Sequence, residues 1–117
     1  DSIVRGTTSR EIVQMARLAG ANKVTFTSAA PPVRFPNVYG INMPTRAELL
    51  AHGRSEEEIS KVLGADHVVY QTVENLLASI VDKTDIKDLE MSCFDGHYVT
   101  GGIDEAYFEW LEANCSS

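Results

Sequence analysis

Apolar residues recur along the chain with two periods, and the switches between them mark out its elements. From Thr8 to Ala19 they return every three or four positions. Ile12, Val13, Met15, Ala16 and Ala19 share a face, which predicts an amphipathic helix that Gly20 stops. From Lys23 to Ala29 the period drops to two. Val24, Phe26 and Ser28 alternate with Lys23, Thr25 and Thr27, the pattern of a strand with one covered face. Pro31-Pro32 ends that strand, and Pro36 and Gly40 keep the next stretch irregular. Thr45-x-x-Glu48 has capping-box spacing and predicts a short helix ending near Gly53. Ser55-x-x-Glu58 is a second box, opening a helix that Gly64 ends. His67 to Gln71 reads as a short β-branched strand, and Thr72 caps a helix through Val81. Asp85 to Gly102 is loop-rich, with Phe94 and Tyr98 as anchors. Asp104 to Asn114 is a final amphipathic helix with Tyr107, Trp110 and Leu111 on one side.

Helices alternating with short strands specify an α/β fold around a parallel sheet. No internal repeat, low-complexity tract or linker divides the 117 residues, which have the length of one small domain. The 44% hydrophobic content is enough for a core. No apolar run reaches the roughly 18 residues of a membrane span, and no charged-then-apolar leader opens the chain. A net charge of −7 and a pI near 4.8 argue against general nucleic-acid binding, which needs basic stripes. They leave open the binding of one small phosphate, which needs only a local cluster of donors.

Such a cluster stands at the start: Asp1-Ser2-Ile3-Val4-Arg5-Gly6-Thr7-Thr8-Ser9. The Asp1 carboxylate can accept hydrogen bonds from ribose hydroxyls or hold Mg²⁺ through oxygen. Gly6 allows a tight turn and close approach to an anion. Thr7, Thr8 and Ser9 carry hydroxyl donors, and the N–H groups opening the helix add more at the positive end of its dipole. The Arg5 guanidinium could meet a phosphate bidentately, or point outward and leave only its amide in the loop. The stretch has neither a Walker lysine nor the three-glycine spacing of a dinucleotide loop. Thr-Thr-Ser ahead of an amphipathic helix is also a common N-cap. The residues by themselves leave phosphate loop and plain cap both open.

Other chemistry-bearing residues are scattered. His52, His67 and His97 have no ligand spacing and read as structural or exposed. Glu56-Glu57-Glu58 is a solvated charge run complementing a helix dipole. Arg34 and Arg46 flank the Pro-rich segment and are candidates to contact anionic ligands. Cys93 and Cys115 lack Cys-x-x-Cys spacing, so zinc is not expected, and thiols are favoured over a disulfide.

Residues 1–9 resemble the phosphoribosyl-pyrophosphate (PRPP) motif of type I phosphoribosyltransferases. Ser28-Ala29-Ala30-Pro31-Pro32-Val33-Arg34-Phe35-Pro36-Asn37-Val38-Tyr39-Gly40-Ile41-Asn42-Met43-Pro44 resembles one subfamily, the amidophosphoribosyltransferases, as do Leu49 to Arg54 and Tyr98 to Gly101. That motif normally ends a strand with two adjacent acidic residues, of which Asp1 is one. The resemblance therefore implies a chain that starts inside the motif. It would be a C-terminal portion of the phosphoribosyltransferase domain, without the upstream strands and inactive alone, with residues 85–117 as its C-terminal loop and helix.

The resemblance further implies that Asp1, Ser2, Arg5, Gly6, Thr7, Thr8 and Ser9 bind PRPP and that Asp1 meets Mg²⁺. Ammonia would come from glutamine in a separate domain with an N-terminal cysteine, a role neither Cys93 nor Cys115 can fill. The implied reaction yields 5-phosphoribosylamine, the first committed step of purine synthesis, in a cytoplasmic homo-oligomer. Purine nucleotides would act as feedback inhibitors, with residues around Pro44 near such a site. Asn42 stands where the family usually has an acid. Some members carry an iron–sulfur cluster held by cysteines in this region. Asn37 stands near one ligand position and no Cys-x-x-Cys follows Cys93, so no cluster is expected. A PRPP-sensing regulator or a salvage phosphoribosyltransferase would share the loop, although the salvage enzyme should lack the segment from Ser28 to Pro44.

Overall fold

Local signals set most element ends. In the computed structural model, which describes residues 2–40, 45–86 and 88–115 (the side chain of Cys115 excepted), the first helix, α1, runs Thr7–Leu18. Its C-cap is Ala19, and Gly20 follows with φ +100°, a conformation that other residues reach only under strain. Helix α2, Glu56–Leu63, opens with the complete box expected from its sequence. The Glu58 N–H donates to Ser55 Oγ at 3.3 Å and the Ser55 N–H to Glu58 Oε2 at 2.8 Å. Gly64, at φ +75°, closes it. Helix α3, Val73–Val81, starts at Thr72, whose hydroxyl accepts from the Asn75 N–H at 3.1 Å.

The strands are shorter than their alternation predicts: β1 covers Thr25–Thr27 and β2 His67–Val69. They pair in parallel, with Phe26 opposite Val68. The side-chain alternation holds. Phe26 and Val68 point to the core while Thr25, Thr27, His67 and Val69 face out. At the strand start a side chain joins the backbone pairing, in which the Asp66 N–H donates to the Val24 carbonyl at 2.9 Å. The Val24 N–H donates to Asp66 Oδ2 at 2.7 Å, and Arg17 Nη2 reaches the same oxygen at 2.8 Å. The Val24 N–H, more than the neighbouring Arg17 charge, holds the Asp66 carboxyl below its usual range. After β1, Ser28 Oγ bonds the Ala30 backbone and turns the chain away.

Three expectations change. Thr45-x-x-Glu48 opens only a 3-10 turn, Arg46–Glu48. Its threonine makes no backbone cap and meets Glu48 Oε2 at 3.4 Å. A short helix unforeseen in the sequence, α4 (Ser92–Asp95), ends at Gly96 with φ +76°, packed on the Phe35 ring. Helix α5, Glu105–Cys115, buries Phe108 and half-buries Tyr107 and Leu111 but leaves Trp110 57% exposed, so Phe108 and not Trp110 leads its inward face. The cause is tertiary. Phe108 sits 5.8 Å from the Tyr98 ring, which is itself anchored by a 2.6 Å bond from its hydroxyl to the Pro36 carbonyl.

The main core joins Ile3, Leu50, Ala51, Ile59, Leu63, Val68 and Tyr70, with Phe26, Val62 and Ala65 against it. Around it the chain spreads out. It spans 49 × 41 × 21 Å with a radius of gyration of 16.0 Å, against about 13 Å for a compact chain of this length. Its 7694 Å² of surface exceeds the roughly 6,300 Å² usual for this mass. Of the apolar face expected on α1, only Val13 is buried, whereas Ile12, Met15 and Ala19 stand open, as does Leu18 beside them. No helix among the described residues is long and apolar enough to cross a membrane.

Arg46 fastens α5. It donates to both carboxylate oxygens of Glu112 (2.8 and 3.1 Å) and to Glu105 (2.6 Å), with its guanidinium 5.0 Å from the centre of the Phe108 ring. Hydrogen bonding to Arg46 holds the Glu112 carboxyl below its ordinary value of 4.5. A depressed acid stabilises the fold above its unfolded pKa. The contribution should be intact at neutral pH and fade as pH falls below 4.5 through the lowered folded value. Arg46→Met should lower the melting temperature by about 4 °C at pH 7. Equal melting of the two proteins at pH 7 would show that the cluster contributes nothing to stability.

Candidate functional site

Residues 2–9 form the entrance to α1 and are held on both sides. Ile3 enters the core, and the Val4 carbonyl accepts from the Leu50 N–H at 2.9 Å. Gly6 then turns with φ +82°, and a Cβ built on it would lie 3.0 Å from Leu50 Cδ2. The turn favours glycine, and a side chain there would also have to displace the end of Leu50.

Gly6 occupies the N-cap position of α1, and among the described residues no side chain caps the helix. The Gly6 carbonyl accepts the first helical bond, from the Arg10 N–H at 2.9 Å. The first-turn N–H groups of Thr7, Thr8 and Ser9 precede that bond and sit at the positive end of a 12-residue helix with no acid in its first turn. A threonine or serine N-cap, the plain alternative for this stretch, is therefore not what forms.

The candidate residues divide by exposure. Ser2, Arg5, Thr7 and Thr8 are exposed, while Gly6 and Ser9 are buried. Ser9 is fully buried, and its hydroxyl donates to Ser2 Oγ at 3.3 Å. Ser9 thus offers its position in the helix's first turn, while its side chain ties the loop to itself. Asp1, the candidate Mg²⁺ ligand, lies outside the described residues, as do Asn42 and Pro44. The loop residues that are described carry N–H, hydroxyl and guanidinium groups. Among the described residues no three of His, Cys, Asp or Glu converge as a metal set.

Arg34 and Arg46, both candidates for anionic ligands, are committed internally. Arg34 Nη1 donates to the carbonyls of Ala51 (2.8 Å) and Arg54 (2.9 Å), and Arg46 holds Glu105 and Glu112. His52 Nδ1 lies 3.0 Å from the Arg34 carbonyl, a structural role, and His67 and His97 are exposed. Burial first, then the Glu90 charge, pushes the Cys93 thiol pKa up, against a hydrogen bond from Asn37. The raised pKa favours the thiol over the thiolate at Cys93. The sequence reading missed Leu50 and Arg54, which back the loop. Their only signal lay in the segment Leu49 to Arg54, whose residue types announce no role. An open groove of about 290 Å³ lies along the flank of α1, between Arg10, Val13, Arg17 and Lys61, away from the helix entrance.

Comparison with known proteins gives a consistent result. No protein-family model matches the chain. It is 54% identical over 113 residues to an amidophosphoribosyltransferase of Pseudomonas aeruginosa and 50% identical over 113 residues to that of Escherichia coli. These alignments cover 96% of this chain but only 23% and 22% of the relatives, so the chain spans about a fifth of their length. A solved structure of glutamine PRPP amidotransferase from Bacillus subtilis, complexed with ADP and GMP, superposes with a TM-score of 0.72 at 44% identity. That match covers 83% of this chain and 22% of the other.

The Gly6 geometry is testable by stability alone. Gly6→Ala meets both the left-handed backbone and the Leu50 contact, whereas Gly53→Ala, at φ +65° with nothing within 4 Å of the new carbon, meets only the first. Gly53→Ala should cost about 1 kcal/mol and Gly6→Ala about 2 kcal/mol or more in urea denaturation. Equal losses would show that the Leu50 contact yields freely.

Proposed function

Because the chain belongs to the amidophosphoribosyltransferase family, with the type I phosphoribosyltransferase fold, as a segment spanning about a fifth of its relatives' length, we propose that residues 1–9 hold the 5-phosphate end of PRPP. The observation that carries this reading is the uncapped entrance of α1, where Gly6 turns at φ +82° and the exposed Thr7 and Thr8 stand in the first turn. A phosphate there would collect backbone N–H groups, two hydroxyls and the helix dipole, a neutral cradle that suits an acidic protein. The Arg5 amide, and its exposed guanidinium if it folds back, would add to it.

The proposed reaction of the whole enzyme follows from that anchoring. Ammonia released from glutamine in another domain donates its lone pair to the anomeric carbon. The new C–N bond forms as the bond to pyrophosphate breaks, pyrophosphate leaves with the bonding pair, and the resulting ammonium loses one proton to solvent to give 5-phosphoribosylamine. No general base is needed from this loop, because ammonia is already nucleophilic. The loop's contribution is positioning: a fixed 5-phosphate restricts where the anomeric carbon can lie. Mg²⁺, when bound, would neutralise the leaving pyrophosphate, and Asp1 is the oxygen ligand this segment would offer. No iron–sulfur cluster belongs to this region in our reading, because Asn37 bonds Cys93 where a cluster would need further thiolates. Purine nucleotides as inhibitors, a homo-oligomeric state and a cytoplasmic setting complete the proposal for the whole protein.

Thr7→Val and Thr8→Val keep the side-chain shape and remove one hydroxyl each. A hydrogen bond to a charged phosphate contributes about 1.5–3 kcal/mol, so each change should raise the Kd for ribose 5-phosphate about ten- to a hundredfold. In a relative-length enzyme carrying this segment, pyrophosphate release from PRPP should fall equally with glutamine or with ammonia as donor. Basal glutamine hydrolysis without PRPP should be unaffected. Asp1→Asn should in addition weaken the response to Mg²⁺. Unchanged PRPP dependence in both threonine variants would reduce the stretch to an ordinary helix start.

A further inference from the structure

Behind the loop stands a relay of backbone carbonyls and guanidinium groups that the reading above leaves without a role. Arg34 Nη1 donates to the carbonyls of Ala51 and Arg54, at 2.8 and 2.9 Å. Arg54 Nη1 donates to the Leu50 carbonyl at 3.0 Å. The Leu50 N–H donates to the Val4 carbonyl at 2.9 Å, and the Leu50 side chain, 3% exposed, presses on Gly6. Two guanidinium groups thus clamp one turn, and that turn touches the loop on either side of Arg5.

We propose that Leu50, held by the Arg34–Arg54 clamp, is a positioning residue for phosphate binding, setting the direction in which the first-turn N–H groups of α1 point. This rests on the assignment of residues 1–9 to the 5-phosphate. The backbone from Val4 to Gly6 is fixed at its two ends by the same residue, once by a hydrogen bond and once by packing. A glycine has no side chain of its own to hold its peptide planes, so the contact from Leu50 does so from outside. Hydrogen bonds weaken steeply as the N–H···O angle falls towards 120°. A loop free to tilt would keep its donors and lose their aim. The relay commits Nη1 of Arg34 and of Arg54 to backbone carbonyl oxygens.

The test measures ribose 5-phosphate binding to the full chain by amide chemical shifts, together with the melting temperature. Leu50→Ala should raise the Kd about tenfold, with the largest shift changes at Gly6, Thr7 and Thr8. Leu50→Met, which refills the space, should return the Kd to within about threefold of the wild type. Leu63→Ala is the control: Leu63 is buried in the same core on α2. It should cost similar stability and leave the Kd within about twofold. Wild-type affinity in Leu50→Ala, or an equal loss in Leu63→Ala, would overturn the proposal. If Leu50→Ala does not fold, Arg54→Met carries the test, because it frees the Leu50 carbonyl without opening the core. It should raise the Kd about threefold, and unchanged affinity there overturns the proposal. Failure of the wild-type chain to bind ribose 5-phosphate would instead remove the phosphate assignment, and this inference with it.

Discussion

The contact between Gly6 and Leu50 is the constraint on which the site depends. A helix presents free N–H groups to a ligand only if its first turn is uncapped and its entrance is held still. A capping side chain would hold the entrance and occupy the amides together. Here the two tasks are separated. Gly6, at φ +82°, makes the turn without a side chain, and Leu50 supplies the rigidity from another part of the chain. Ile3 on one side and Leu50 on the other belong to one core, so the mobility of the loop is tied to the stability of that core.

The arginines show a similar division. In a chain of net charge −7 they are the obvious anion binders, yet the best placed serve as internal fasteners. Arg34 and Arg54 close the turn at 50–54, Arg46 seats α5, and Arg17 joins α1 to the start of β2 through Asp66. A planar guanidinium with five donors suits this work, because carbonyls and carboxylates from distant segments can share one group. In the proposed reading, phosphate recognition would fall to backbone amides and hydroxyls, which need no net positive charge. That is how an acidic protein can be suited to a highly charged anion.

Most of what lies outside the core is open. A two-stranded parallel sheet ordinarily has both faces covered, and here Thr25, Thr27, His67 and Val69 face out while α1 exposes Ile12, Met15 and Leu18. The flat dimensions and large surface follow from this arrangement. Order comes instead from fasteners spread along the chain: Arg17 with Asp66, Tyr98 with Pro36, and Arg46 with α5. Each joins segments far apart in sequence through one to three strong polar contacts.

Local chemistry determined where elements start and stop. The Ser55–Glu58 box, the Thr72 cap, and the stops at Gly20 and Gly64 all form where the residues place them, because caps and left-handed glycines act within a few residues of backbone. At residues 2–9 the sequence left phosphate loop and plain cap both open, and the structure adds a Gly6 turn in place of a threonine or serine N-cap. Tertiary structure decided the rest. Thr45 has the same box spacing as Ser55 yet forms no backbone cap, since Arg46 beside it is drawn to Glu105 and Glu112 at the far end of the chain. Phe108 turned inward and Trp110 outward because the Tyr98 ring and the Arg46 guanidinium waited on one side of α5. Ser9 gave its hydroxyl to Ser2, and Arg34 gave its guanidinium to carbonyls 17 and 20 residues away. A side chain's role depends on which partners the fold brings within about 3 Å, and periodicity carries no information about partners that far along the chain.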